Sequence, residues 1–279
     1  MCGRYAASRS PDDLVEVFEV DKPSPTEPPV EVLNPDYNVA PTKKVYAVLS
    51  RPPRGDEVPD DAPPTRQLRV LKWGLVPSWA KDPAIGSRLI NARMETVAEK
   101  PAFKRAFKSR RCLLPADGYY EWYASQAREA DIAAAEAEAA ATGKKPRKPK
   151  VQKQPFFIHP KDGSPMAMAG LYEFWRKRDA AEDDPDAWLS TCTVLTTTSE
   201  DAVGHIHDRM PLLVEPDRWG QWLDPDFSDP EQLTSLLMPA APGRLDAYPV
   251  STAVNNVRNN GPELLAPLPL DDLERWAPV

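Results

Sequence analysis

The sequence predicts one α+β domain in which a mixed or antiparallel sheet closes into a barrel-like form, with short helices at its flanks. The chain has 279 residues, 41% of them hydrophobic, which is enough for one sizeable core. Its 33 prolines divide it into short segments, and apolar strand-like runs are interspersed with a few short helical patterns. These frequent breaks argue against a helical bundle and favour short strands joined by hairpins and ordered loops.

The elements of the first half follow in chain order. Residues 11–20 have an acidic start and predict a short helix, and a proline-rich loop follows over 21–36. Residues 45–49 and 68–73 predict a hairpin with a mobile, proline-rich tip over 51–65.

Asn91 is expected to cap a helix that begins over 92–97, with a second helical stretch over 99–107. Residues 111–114 and 118–122 predict two strands paired around the turn Pro115-Ala116-Asp117-Gly118. In the later part of the chain, strands are predicted at 155–159, 166–172 and 190–198. Two amphipathic helices are predicted at 215–223 and 229–238, and a final strand begins at 248–250.

Residues 126–152 differ in composition from the rest and predict a solvent-exposed insertion in a single domain that spans 1–279. The stretch 126–141 is rich in Ala and Glu and favours a helix without an apolar face, and 144–150 is a basic run broken by prolines. A solvated insertion without a function of its own explains this pattern, and an auxiliary contact from the basic half to a DNA backbone is the alternative.

Composition limits the function classes. The net charge of −7 argues against bulk electrostatic binding of nucleic acid but leaves room for a local basic groove. No apolar run is long enough to span a membrane and no signal segment begins the chain, so we expect a cytoplasmic protein without membrane partners. Three scattered cysteines predict no disulfide framework and no zinc site, and Cys112 and Cys192 lie in apolar contexts typical of buried thiols.

Cys2 is the residue with the most distinctive chemistry, because it directly follows the initiator Met1. Removal of Met1 would leave an α-amine and a thiol on the same residue, with ordinary pKa values of about 8 and about 8.5. Such a 1,2-aminothiol can form a Schiff base with an aldehyde and then close a five-membered thiazolidine ring. A cysteine of no consequence next to the start site is the alternative.

Four other segments carry candidate functional residues. His207 lies in a polar turn with His205; it is a candidate proton-transfer group, and a surface histidine or a metal pair with His205 are the alternatives. Glu121 lies among aromatic residues, where desolvation would raise its pKa, unless it faces solvent. Arg93, after Asn91, fits a phosphate contact, and the aromatic turn 73–79 fits base stacking or core packing, with core packing favoured for Trp73.

Taken together, these segments resemble a known family. Met-Cys-Gly-Arg-Tyr at the N-terminus is followed, in the same order as in that family, by motifs at 37–42, 73–79, 90–96, 115–122 and 206–211. The chain resembles the SRAP family of SOS response-associated peptidases, whose members process abasic sites. The resemblance runs from Cys2 to about Pro267, apart from the insertion.

The resemblance implies a sensor that captures abasic sites in single-stranded DNA as a thiazolidine crosslink through Cys2, in the response to DNA damage. The family's active-site positions map onto Cys2, Asn91, Glu121 and His207. Asn91 is expected to position the Cys2 amine or the sugar, Glu121 to move protons, and His207 to assist sugar ring opening. Neither a metal nor a cofactor is implied.

The resemblance also implies a set of DNA contacts. Matching phosphate-contacting positions are Arg4, Arg93 and Arg209, and positions near the bases are Asn38, Pro41 and Trp79. Ala80 stands where the family often has a second aromatic residue, which leaves the strength of base stacking open. We expect a monomer, associated with the nucleoid if the protein is bacterial, with replication-fork proteins as candidate partners.

Two other functions compete with the crosslinker. One is a cysteine-dependent autopeptidase or hydrolase that uses Cys2, His207 and Asn91 for acyl transfer, with a strand-incising lyase activity as a related outcome. The other is a non-catalytic single-strand binding module built on Arg4, Arg93 and Trp79. Ordinary removal of Met1 would expose Cys2 without any peptidase activity of the chain itself.

Overall fold

The structure, a computed structural model, describes residues 2–22, 29–53, 59, 62–124, 129–143, 145, 153–182, 184–199, 203–238 and 243–269. The strands of this part of the chain are β1 (Tyr5–Ala7), β2 (Asp36–Val39), β3 (Lys44–Arg51), β4 (Thr65–Trp73), β5 (Asn91–Arg93), β6 (Arg111–Ala116), β7 (Gly118–Ala124), β8 (Lys153–Pro160), β9 (Met166–Arg176), β10 (Trp188–Thr198), β11 (Arg209–Pro211) and β12 (Leu245–Pro249). The α-helices are α1 (Pro11–Val17), α2 (Lys104–Ser109), α3 (Glu129–Thr142), α4 (Trp219–Leu223) and α5 (Pro230–Ser235). Short 3₁₀ helices cover Pro83–Arg88, Met94–Thr96, Pro185–Ala187, Pro216–Arg218, Thr252–Asn255 and Pro262–Leu265.

Five strands close a barrel in the order β10-β4-β3-β6-β9, with β9 pairing back onto β10. The predicted hairpin is β3 and β4, paired antiparallel from Lys44↔Lys72 to Arg51↔Thr65. Only the β4–β10 contact of this ring is parallel, which makes the barrel mixed. The α+β class with a barrel-like mixed sheet is therefore confirmed. Part of the hairpin tip expected to be mobile, 54–58 and 60–61, lies outside the described residues.

A second sheet, in the order β12-β8-β7-β1-β2, packs against the barrel. The predicted pairing of 111–114 with 118–122 is wrong: β6 pairs with β3 and β9, whereas β7 pairs with β1 and β8. The turn between them carries the chain from one sheet to the other. Gly118 allows this close passage, because a Cβ there would lie 2.4 Å from the Phe157 ring and 2.6 Å from the Ile158 carbonyl oxygen.

Alternate residues of β3 separate the two main core clusters. Residues 45, 47 and 49 belong to the cluster that also contains Trp73, Cys2 and Tyr5, which fills the barrel and the space beneath the second sheet. Residues 46 and 48 face the other way and pack with residues of α1, α2, α4 and α5 on the barrel's outer side. Successive strand side chains point to opposite faces, so the two sets of β3 residues enter different clusters, and Cys2 belongs to the inner one. Cys112 and Cys192 are buried in the same inner cluster, as predicted.

The helix expected after Asn91 is replaced by strand β5 and a single 3₁₀ turn. β5 runs parallel to β10, with Asn91 opposite Val194 and Arg93 opposite Thr196. Asn91 favours a helix N-cap locally, but it lies in a strand here because pairing with β10 supplies the backbone hydrogen bonds that a helix would otherwise provide. The regular helix α2 begins only at Lys104, so the helical stretch expected over 99–107 is shorter than expected.

The insertion contains helix α3, which leaves the end of β7 and precedes β8. Its basic part lies mostly outside the described residues, since only Lys145 of that run belongs to them. No helix in the described part of the chain is long and apolar enough to cross a membrane.

Candidate functional site

Cys2 lies fully buried in the inner core, three residues before strand β1 of the second sheet. Strand β1 pairs antiparallel with β7, with Tyr5 opposite Tyr119, and the pairing continues to the Tyr120 N–H, which donates to the Arg4 carbonyl oxygen at 2.9 Å. The same register brings the start of the chain alongside Glu121. Burial raises the pKa of the Cys2 thiol well above its ordinary range, and the negative charge of Glu121 raises it further.

Asn91 reaches the same place from β5. This strand pairs with β10 of the barrel and places Asn91 opposite Val194, whose side chain lies in the inner core. Its Nδ2 donates a hydrogen bond to the Cys2 carbonyl oxygen at 2.7 Å. Its Oδ1 is buried, and no group in the described residues donates to it. This amide therefore holds the backbone of Cys2 and keeps one acceptor available beside it.

Glu121 occupies a central position in β7, with only 3% of its surface exposed. It shares the inward face of the strand with Tyr119, two residues before it. The solvent-facing alternative is therefore wrong. Burial raises the pKa of the Glu121 carboxyl, and the nearby His207 acts in the opposite direction. The carboxyl therefore holds its proton to a higher pH than an exposed glutamate does.

His207 lies half-buried in the turn between β10 and β11. Its Nδ1 accepts a hydrogen bond from the Arg209 N–H at 3.0 Å and lies 2.9 Å from an Asp208 carboxylate oxygen. A backbone N–H can only donate, so the neutral imidazole carries its hydrogen on Nε2. Protonation would instead allow Nδ1 to donate to Asp208. Within the described residues, no group of three or more His, Cys, Asp or Glu is arranged to hold a metal ion.

Arg209 and Arg93 lie at one rim of this cluster. Arg93 is exposed on β5, opposite Thr196 of β10. The Arg209 guanidinium donates to the Thr196 carbonyl oxygen at 2.6 Å and to both carboxylate oxygens of Glu95, at 2.5 and 3.1 Å. Two of the predicted phosphate contacts are thus brought together, and one of them is held by a carboxylate.

Arg4 and Asn38 lie together at another rim. Arg4 Nη1 donates to Asn38 Oδ1 at 2.7 Å and to the Val254 carbonyl oxygen at 2.8 Å, and the guanidinium lies 5.8 Å from the centre of the Trp122 ring. Asn38 is fully buried, and its Nδ2 donates to the carbonyl oxygens of Val254, Asn256 and Asn259. The Asn38 side chain therefore anchors the 254–259 loop from beneath.

Trp79 and Pro41 lie on the turns that follow β4 and β2. Trp79 is 55% exposed and lines an open depression of about 390 Å³ together with Lys81 and Arg88. Ala80 is buried against Trp175, whose Nε1 donates to the Ala80 carbonyl oxygen at 2.8 Å.

Pro41 is half-buried beside Thr42, whose N–H donates to the Trp73 carbonyl oxygen. Trp73 itself is fully buried, as predicted.

Sequence reasoning missed two residues that shape these rims. Glu95, which accepts hydrogen bonds from Arg209, lies in the 3₁₀ turn directly after β5. Nothing in the sequence pairs it with a residue 114 positions away. Trp122 lies beneath Arg4 and donates through Nε1 to Asn255 Oδ1 at 2.7 Å. Its place next to Glu121 in an aromatic strand was the one available signal.

Comparison with known proteins places this architecture in a defined class. The family model described as SOS response associated peptidase (SRAP) matches residues 1–257. The chain belongs to the SRAP family.

Several relatives share most of the chain. It is 37% identical over 265 residues to the abasic site processing protein YoqW of Bacillus subtilis, covering 95% of this chain and 99% of YoqW. It is 32% identical over 273 residues to the abasic site processing protein YedK of Escherichia coli, covering 96% and 100% of the two chains. It is 29% identical over 296 residues to the abasic site processing protein HMCES of Xenopus tropicalis, covering 95% and 78%.

Solved structures agree on the fold. A Bacteroides thetaiotaomicron protein superposes with a TM-score of 0.68 at 21% identity, covering 96% of this chain and all of the other. A phage-related protein of Bordetella bronchiseptica superposes with a TM-score of 0.56 at 26% identity, covering 89% of this chain and 94% of the other.

Proposed function

We propose that the protein processes abasic sites in DNA by capturing them covalently in single strands through Cys2, once Met1 has been removed. The observation that carries this proposal is the hydrogen bond from Asn91 to the Cys2 carbonyl oxygen, at a place where burial and the nearby Glu121 raise the pKa of the Cys2 thiol. Cys2 is thereby held beside an amide and a carboxyl. The relatives named as abasic site processing proteins support abasic DNA as the substrate.

The proposed chemistry has two bond-forming steps. The Cys2 amine attacks the open-chain sugar aldehyde at C1′, and loss of one water gives an imine. The Cys2 sulfur then adds to the imine carbon while its proton passes to the imine nitrogen, which closes the thiazolidine ring. Burial keeps the thiol protonated at neutral pH, so the amine forms the first bond and the thiol the second.

Glu121 and His207 supply the proton transfers in this scheme. Glu121, whose pKa is raised by burial, takes a proton from the attacking amine and returns it to the departing hydroxyl. His207 donates from Nε2 to the sugar ring oxygen as the ring opens, because its Nδ1 is engaged by the Arg209 N–H. Asn91 Oδ1 accepts from the free Cys2 amine or from a sugar hydroxyl.

The DNA strand is proposed to follow the arginine-bearing rims on either side of the Cys2 cluster. Arg93 is exposed and can meet a phosphate directly. Arg4 and Asn38 shape the site through the 254–259 loop that both of them hold. In this proposal Pro41 and the exposed Trp79 lie near the flanking bases. Because Ala80 is buried, Trp79 stacks on a base without a second aromatic residue beside it. The four catalytic groups come from one chain, which supports a monomer as the active form, and replication-fork proteins remain candidate partners.

The peptidase alternative has less support. A cysteine protease needs a thiolate, which a cationic or exposed environment stabilises. The Cys2 thiol instead lies buried beside a carboxylate, and its pKa is raised. Lyase activity would arise from the same imine by elimination, and closure of the thiazolidine ring removes that intermediate.

Denaturing electrophoresis tests the proposal. Protein whose intact mass confirms the loss of Met1 is incubated with a labelled single-stranded oligonucleotide that carries one abasic site, and with the intact oligonucleotide. We expect an adduct that resists heat and detergent only with abasic DNA, with the mass of protein plus DNA less one water. No adduct from Met1-free protein would refute covalent capture.

Two variants sharpen this experiment. Cys2→Ala should form no adduct, whereas Cys192→Ala, which removes another buried thiol of the same core cluster, should form it normally. A protein with one extra glycine ahead of Cys2 should be inactive, because the nitrogen of Cys2 is then part of a peptide bond and the free amine is displaced from Asn91 and Glu121. Normal capture by that extended protein would rule out the amine mechanism.

A further inference from the structure

The Arg209–Glu95 ion pair at the rim of the candidate site has the form of an arginine–phosphate contact. Glu95 accepts from both terminal nitrogens of the guanidinium, at 2.5 Å and 3.1 Å. This fork-to-fork geometry is the same one by which arginine binds a phosphate. The hydrogen bond from Arg209 lowers the pKa of Glu95, so the carboxylate is fully charged at neutral pH.

Glu95 occupies the forked edge of Arg209. Nη2 also donates to the Thr196 carbonyl oxygen at 2.6 Å and lies 3.2 Å from its hydroxyl oxygen, and Nε is buried. A strand phosphate can therefore bind Arg209 in the forked geometry only by taking the place of the Glu95 carboxylate. Glu95 can make way, because its side chain is 44% exposed whereas that of Arg209 is only 11% exposed.

The position of the pair connects it to the reaction. Arg209 donates its backbone N–H to His207, and its guanidinium is bonded to the residue opposite Arg93 in the β5–β10 pairing. Glu95 thus neutralises one of two neighbouring cations immediately beside the proton-transfer histidine. An extended strand that passes this rim would place its phosphates against the same two arginines.

We propose that the Glu95 carboxylate is an internal substitute for a DNA phosphate. Glu95 occupies Arg209 in the free protein and must be displaced when DNA binds. This inference rests on the proposed function. The consequence is weak binding to intact single strands, because each binding event breaks an existing ion pair as it makes a new one. Undamaged DNA is then released, whereas an abasic strand is retained by its covalent bond.

The test uses Glu95→Gln, which keeps the shape of the side chain and removes its charge. Binding of an intact, fluorescein-labelled single-stranded oligonucleotide is measured by anisotropy over a series of KCl concentrations. We expect Glu95→Gln to bind about three- to tenfold more tightly at about 0.1 M salt. The slope of log K against log salt should become steeper, by up to about 0.7, because binding to Arg209 no longer leaves an unpaired carboxylate beside the bound phosphate.

Glu19→Gln is the matched control, since Glu19 also accepts a hydrogen bond from an arginine, Arg66, and the substitution changes the net charge equally. Arg66 follows Thr65 at the start of β4, whereas the aromatic turn leading to Trp79 follows its other end. The control should leave affinity within about twofold of wild type. In an Arg209→Ala background, Glu95→Gln should bring no gain, because Glu95 then has no phosphate site to occupy.

Unchanged or weaker binding by folded Glu95→Gln would overturn the inference, and so would an equal gain in Glu19→Gln or a gain that persists without Arg209. The adduct assay on abasic DNA, run in parallel, separates this result from the proposed function. Wild-type capture without a gain in Glu95→Gln refutes only the role of Glu95. A gain with no capture by any variant refutes only the covalent chemistry.

Discussion

Asn91 Nδ2 donates a hydrogen bond to the Cys2 carbonyl oxygen at 2.7 Å, which ties Cys2 to strand β5, the strand that pairs with β10 of the barrel. The end of the chain is thereby fixed in orientation. A terminal amine on such a residue is held near one position instead of sampling many, which is the condition for a fast intramolecular step.

Asn91→Ala should therefore slow covalent capture by about 10- to 100-fold, while costing only about 1 kcal/mol of stability for the lost hydrogen bond. Single-turnover adduct formation on denaturing gels gives the rate, and thermal unfolding gives the stability. Asn34→Ala, in the loop before β2, is the control and should react at the wild-type rate. A rate for Asn91→Ala within about twofold of wild type would contradict the positioning role.

Glu121→Gln should stabilise the protein at neutral pH while abolishing capture. Burial raises the pKa of Glu121 in the folded state above its ordinary value of 4.5. The folded state therefore binds more protons than the unfolded state between those two pKa values, and wild-type stability falls as the pH rises through that window. Glutamine has no charge to desolvate and escapes this loss.

The measurement is thermal unfolding of wild type and Glu121→Gln from about pH 4 to about pH 8. The variant should melt at a higher temperature near pH 8, and the difference should shrink toward about pH 4, where Glu121 becomes protonated in both states. Glu173→Gln is not a suitable control, since Glu173 is ion-paired with Arg110. Exposed Glu99→Gln serves instead and should show no such trend. Equal melting temperatures for wild type and Glu121→Gln at every pH would mean that Glu121 is not desolvated.

The strands of the barrel could be predicted because alternation and proline breaks are local features of the sequence. Residues 45–49 and 68–73 fall within β3 and β4 for that reason. The surroundings of Glu121 could not be predicted in the same way. Alternation places it on one of two faces, and only the pairing of β1 with β7 decides which face meets the core.

Asn91 and Asn38 illustrate the same limit for the site. Local preference makes Asn91 a helix cap, but a strand about 100 residues later in the chain makes it part of a sheet. Asn38 lies in a recognisable motif, yet the groups that it bonds are in a loop 216 to 221 positions away. Positions of functional residues follow from motifs, whereas the partners that orient them follow from tertiary packing.

Asn38→Ala should destabilise the protein by about 2–4 kcal/mol, since several carbonyl oxygens of the 254–259 loop and the Arg4 guanidinium lose their shared partner inside the protein. Urea unfolding measures the loss. Asn34→Ala should stay within about 0.5 kcal/mol of wild type. A neutral effect of Asn38→Ala would show that water satisfies these carbonyls equally well and that the loop does not depend on Asn38.

Replacing residues 125–152 by the two-residue turn Asn-Gly should leave covalent capture intact. Ala124 and Lys153 are directly paired at the ends of β7 and β8, so a tight two-residue hairpin turn can join them without a change of register. Glu121 lies three residues before this junction on the same strand, and its partner Phe156 lies three residues after it, so the pairing around the carboxyl is retained.

The shortened protein should form the adduct at a rate within about twofold of wild type and should unfold at the same or a slightly higher temperature, because a shorter loop loses less entropy on closure. The salt dependence of its binding to intact single strands tests the alternative role of the insertion. If the basic run contacts the DNA backbone, the slope becomes shallower by about 0.7 for each lost contact. An unchanged slope with normal capture would assign the insertion no part in binding DNA, and a large loss of capture in a folded protein would make it part of the site.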